Sequence, residues 1–163
     1  MTLAALPASG TPTTFTLTAA GGLGISAPAD ADLGSAATND GTLSAQLGAV
    51  TVTDDRGLLA GSWTASAVAT DFTTGGETED ETITADNVSY WSGAATSTTG
   101  VGVFTPGQLL EINKVAIDAQ QTAFSAAATV GNTSATWNPT ILVTIPSDSV
   151  VGAYSGTITH SVA

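Results

Sequence analysis

Among its 163 residues the chain has no cysteine, two cationic side chains and one histidine. Each shortage removes a class of chemistry. Without cysteine there is no disulfide framework, no thiol nucleophile and no sulfur-ligated metal centre. Arg56 and Lys114 stand against 14 acidic residues, a net charge of −12. No basic patch exists to displace counterions from phosphates, so nucleic acid is not an expected partner, and anionic membrane surfaces are disfavoured on the same ground. A zinc site would have only carboxylates to add to His160, a rare ligand set. Any Ser-His-Asp triad would need His160 as its base, and no serine lies in a G-x-S-x-G turn. Catalysis and cofactor chemistry are therefore not expected.

Long apolar runs are missing as well. No stretch approaches the roughly 20 residues of a membrane helix, and no basic segment with an apolar h-region precedes Thr2. Membrane insertion is not expected, and an exported form would have had its signal peptide removed. Charged residues are only 10% of the chain, against about 25% in an average globular domain. The abundance of Ser, Thr, Gly and Ala that takes their place is the profile of a secreted or surface β protein.

What is present is alternation. Residues 13–18 interleave Phe15 and Leu17 with threonines and read as a strand, after a flexible leader over residues 1–12 that carries Pro7, Gly10 and Pro12. Residues 25–31 contain Pro28 and suit an edge or irregular segment. Leu43, Ala45 and Leu47 share one face, whereas from Val50 the apolar positions are even. That change of phase at Gly48-Ala49 predicts a bulge or bend by which the segment serves two sheets. Residues 50–72 are expected to form the central hairpin, with Asp54, Asp55, Arg56 and Gly57 as its turn. Trp63, Ala65, Ala67 and Ala69 follow on one face, a large ring lying across small neighbours.

Further strands are expected over residues 88–91 and 100–104, and over 124–130 with Gly131-Asn132 ending them. Residues 108–120 carry both helical and strand signals, and the β-branched Ile112, Val115 and Ile117 favour strand. Ile141, Val143 and Ile145 mark another strand; Tyr154, Ile158, His160 and Val162 share a face of the last. Many short strands with Gly, Pro, Asn and Asp between them indicate an all-β, antiparallel β-sandwich of Ig-like or Greek-key type with long loops, a single domain over residues 13–163.

Candidate sites are few. Glu77, Glu79, Asp80 and Glu81, with Asp71 or Asp86 near them, offer oxygen ligands of the kind calcium takes, but without EF-hand spacing; the plainer reading is a solvated acidic loop. Arg56 suits a structural role on nearby carboxylates or strand-end carbonyls. His160, between Ile158 and Val162, suits a sheet face. Trp63, Trp91 and Trp137 with Tyr90 would form a sugar-stacking platform if exposed.

Two stretches carry a family resemblance. Val52-Thr53-Asp54-Asp55-Arg56-Gly57 leads to Gly61-Ser62-Trp63-Thr64-Ala65, and Gly152-Ala153-Tyr154-Ser155-Gly156 leads to His160-Ser161-Val162. Together they resemble the WxL domain of Gram-positive bacterial surface proteins, closest to the actinobacterial type. Trp63 matches the first motif's tryptophan and Ala65 stands at its leucine; His160 and Val162 occupy the Trp and Leu positions of the second. The resemblance implies a secreted, β-rich, non-catalytic domain at the cell surface, held non-covalently to peptidoglycan or to other surface proteins. The alternatives are a structural subunit that associates with its own copies by strand addition, and a carbohydrate-binding module.

Overall fold

The structure is a computed structural model and describes residues 21–38 and 40–163; the expected leader and the strand at residues 13–18 lie outside the described residues. In chain order, the first strands are β1 (Leu23–Ser26), β2 (Thr42–Gln46), β3 (Val50–Asp54) and β4 (Gly61–Ala69). The two-residue strands β5 (Phe72–Thr73) and β6 (Thr82–Ile83) pair with each other. Then come β7 (Val88–Trp91), β8 (Ala95–Pro106), the short β9 (Val115–Ala116), β10 (Gln121–Trp137), β11 (Thr140–Thr144) and β12 (Ile158–Val162). All named pairings are antiparallel. The protein is all-β, as its alternation implies.

β10 and β11 form the spine. β8 runs along β10 from Phe124↔Pro106 to Trp137↔Ala95, and β7 continues beside β11. A strand has two edges, so the remaining neighbours share the other one. There β4 pairs with β10 from Gln121 to Thr129, β3 from Thr133 to Trp137, and β2 pairs with β11. β1 flanks β3 and β12 flanks β4. The domain is thus a ribbon of three long segments, each broken into shorter strands.

The ribbon folds over on itself. A straight strand would hold Phe124 and Trp137 about 40 Å apart, yet their rings stack with centroids 4.9 Å apart. The bend lies where Ala128 (φ 50°) and Gly131 (φ 70°) leave the extended region and the registers of β10 with β4 and β8 shift. Facing it on β8 is Gly100, at φ 81°, where a Cβ would stand 2.5 Å from the Asn132 carbonyl oxygen. Only glycine satisfies both the backbone angle and that approach. Folding brings Val50, Val52, Ala65, Ala67, Phe124, Ala135, Trp137 and Ile141 into one core, each fully buried.

Several expectations are corrected by this arrangement. Residues 50–72 are not a hairpin: β3 and β4 run in the same direction along β10, and the turn residues form a corner between them. Gly131-Asn132 bends β10 without ending it. Residues 108–120 are mostly irregular, with a single 3-10 turn at Glu111–Asn113 and strand only at Val115–Ala116. Their apolar residues did not decide the matter, because Leu109, Leu110 and Ile112 are exposed. Trp63 does not merely lie over alanines, since its ring faces Phe124 at 6.4 Å. The phase change at Gly48 does mark a change of sheet, from β2 beside β11 to β3 beside β10, and β1 is an outer strand.

Candidate functional site

The two stretches singled out in the sequence become neighbours. β12 pairs with β4 so that Val162 lies opposite Ala65 and His160 opposite Ala67, and the hydroxyls of Ser66 and Ser161 meet at 2.9 Å. Trp63 is 2% exposed, and among the described residues its indole Nε1 has no hydrogen-bond partner. Ala65 is fully buried, while His160 and Val162 are half-buried on the edge strand. The motif positions therefore face the core.

His160 belongs to a buried relay. Trp137 Nε1 donates to the Tyr90 hydroxyl at 3.0 Å, and that hydroxyl lies 3.3 Å from His160 Nε2. The hydroxyl accepts from the indole and makes its second contact with the imidazole, whose Nδ1 is buried with no partner among the described residues. Burial pushes His160 down to about 4 and pushes the Tyr90 hydroxyl up. The ring is consequently neutral near pH 7. It also lines a cavity of about 170 Å³ with Asp30, Leu33 and Phe72.

At the β3–β4 corner Asp54 is 1% exposed and receives a forked contact from Arg56, Nε to Oδ1 at 2.8 Å and Nη2 to Oδ2 at 2.9 Å. The Arg56 amide adds a third bond to Oδ1, and Nη2 also donates to the Ser62 carbonyl at 2.8 Å. One guanidinium thus joins the end of β3 to the start of β4. Its hydrogen bonds hold the Asp54 carboxyl below the usual carboxylate range and raise Arg56. The Asp55 amide donates to the Gly22 carbonyl, and Gly57 takes φ 64° in the same corner. Lys114 meets Glu111 at 3.8 Å on the surface.

The acidic loop is organised around its own backbone. Glu81 accepts from the Thr78 hydroxyl at 2.7 Å and from the Thr78 and Gly76 amides at 3.1 Å, bonds that hold its carboxyl low. Asp71 accepts from the Ala85 amide, and Asp86 from the Thr84 hydroxyl. Glu77, Glu79 and Asp80 point to solvent. Among the described residues no three carboxylate or imidazole groups converge to hold a metal ion.

Comparison with protein-family models, with curated proteins and with solved structures finds no match. The site must be read from its own geometry.

Of the aromatic residues proposed as a sugar platform, Trp63, Trp137 and Tyr90 are buried and Trp91 is half-buried, so they do not form one exposed surface. Sequence reasoning missed the larger feature, a groove of about 700 Å³ between residues 31–38 and 149–156. Leu43, Phe72, Ile83, Val143 and Tyr154 give it apolar walls, and Ser149, 9% exposed, lines it with a hydroxyl that has no partner among the described residues. Its rims are two irregular segments with no periodicity, which left no signal to find.

Proposed function

We propose that the chain is a non-catalytic module of an exported cell-surface protein of Gram-positive type, serving non-covalent wall association or surface structure. The observation that carries the reading is the adjacency of β4 and β12: the two stretches that resemble WxL motifs are paired strands, with Val162 opposite Ala65. Burial gives those positions a structural role. Trp63, Ala65, His160 and Val162 tie the terminal strand to the core, so contact with peptidoglycan or another surface protein falls to the outer surface. The single imidazole is engaged with Tyr90 and titrates near 4, which makes it a poor general base at neutral pH.

Cosedimentation with purified peptidoglycan tests wall association. Retention of the protein in the pellet is expected; complete recovery in the supernatant across salt and pH would remove the wall and leave surface structure. A role as a self-associating subunit is favoured by one observation, the outer edge of β2 beside the large groove, on which no strand pairs among the described residues.

A further inference from the structure

We propose that the outward edge of β2 is an acceptor for an extended strand, and that its occupant is the segment around Phe15 and Leu17 of a second copy of this chain. The proposal rests on the surface-structure reading above and specifies its contact.

The ladder shows which groups are open. The Leu47 amide donates to the Pro139 carbonyl and the Ile145 amide to the Gly41 carbonyl, each within 3.0 Å. Alternate residues of an antiparallel strand face opposite edges, so Leu43 and Ala45 bond β11 while Thr42, Ser44 and Gln46 turn their N–H and C=O groups outward. Among the described residues β2 is the outer strand of its four-stranded sheet. A row of unpaired main-chain groups is a template for another strand, and proteins usually guard it with charge, proline or a bulge. Thr-Leu-Ser-Ala-Gln carries none of these.

Beside that edge the inward face is unfinished. Leu43 is half-buried and borders the groove of about 700 Å³; of its rim over residues 31–38 only Leu33 is half-buried, and that rim makes no ladder with β2. Ser149, whose buried hydroxyl has no partner among the described residues, lines the same space. A strand laid along β2 would set its inward side chains level with Leu43, about 5 Å away. Residues 13–18 have the required pattern, with Phe15 and Leu17 on one face and threonines on the other, and a length that matches β2.

Charge selects this segment. The chain carries −12, yet its first charged residue is Asp30. Two acidic bodies repel, whereas a neutral segment approaches a second copy without that penalty. Reach then assigns it to a neighbour. Gly21 packs against Asp55, at the end of β3 remote from Gly48, which Pro28 approaches and which follows the end of β2. β3 alone is about 17 Å long, and Ala19-Ala20 span only about 10 Å between Thr18 and Gly21. A neighbour's segment is under no such limit.

Sedimentation velocity of the full chain at about 0.5 M salt, where repulsion is screened, should show concentration-dependent oligomers. Phe15→Asp/Leu17→Asp removes the donor, and Ser44→Pro removes an outward N–H without touching the bonds to β11. Each variant alone should be monomeric with an unchanged melting midpoint. Mixed together they should form dimers and nothing larger, because each keeps one intact half. A synthetic peptide of residues 11–20 added to the Phe15→Asp/Leu17→Asp protein should slow hydrogen exchange at Thr42, Ser44 and Gln46, a readout that does not depend on how Ser44→Pro folds. Monomeric wild type, oligomers that survive either variant, or no protection by the peptide would overturn the proposal. So would a lowered melting midpoint of the donor variant, the mark of a strand used within its own chain. Cosedimentation of the monomeric donor variant with peptidoglycan separates failure of this contact from failure of the surface assignment.

Discussion

The β3–β4 corner and the space beneath β12 both take a titratable group out of water, and they do so in opposite ways. Asp54 stays ionised because a forked guanidinium and a backbone amide supply charge-assisted bonds that exceed the cost of desolvation. His160 has a tyrosine hydroxyl at 3.3 Å in place of a counter-charge, so desolvation prevails and the ring stays neutral. The contrast teaches that the partner decides the ionisation state of a buried group. In a chain with only two cations, one is spent on a corner.

The largest effect should come from breaking the charged centre. Arg56→Ala leaves the Asp54 carboxylate buried without its counterion and should cost about 3 kcal/mol in denaturant unfolding. A variant as stable as wild type would show that the corner does not depend on the pair.

Acid separates the two centres by pH. The folded pKa of His160, about 4, lies below its ordinary value of 6.5. Between those values the unfolded chain binds more protons, so the stability from the neutral ring is complete above pH 6.5 and is lost as pH falls towards 4. The loss should be about 2 kcal/mol, below the full conversion of the shift because the ring is only partly buried. Asp54 is also depressed, from 3.8, so its contribution is present above that value and is lost below it. His160→Gln should flatten the upper limb of a stability–pH curve and leave the lower one; an unchanged upper limb would assign it to another group.

Tyr90→Phe is the mildest test. It deprives Trp137 Nε1 of its acceptor and the imidazole Nε2 of its partner, a loss of about 1 kcal/mol by thermal unfolding. An unaltered midpoint would mean that the relay adds nothing beyond packing.

Some of this was legible in the residues. The alternation of Trp63, Ala65, Ala67 and Ala69 identified the buried face of β4, and the structural role expected of Arg56 matches a guanidinium that spans Asp54 and the Ser62 carbonyl. The relay was not legible, because Tyr90, Trp137 and His160 come from three separate strands and nothing local links them. The groove escaped for a related reason: its rims at residues 31–38 and 149–156 are irregular, and only the fold sets them against Leu43 and Val143.

The sequence by itself determined which way side chains point, because a strand's period of two is written in its apolar positions, and the broken phase at Gly48 announced a change of sheet. Only the tertiary structure decided which strands are neighbours. Main-chain edges look alike at almost every residue, so Val50 to Ala69 carry no local mark that β10 lies beside both β3 and β4. That pairing was settled by the bend at Ala128 and Gly131, which folds the ribbon until Phe124 meets Trp137 and closes the core.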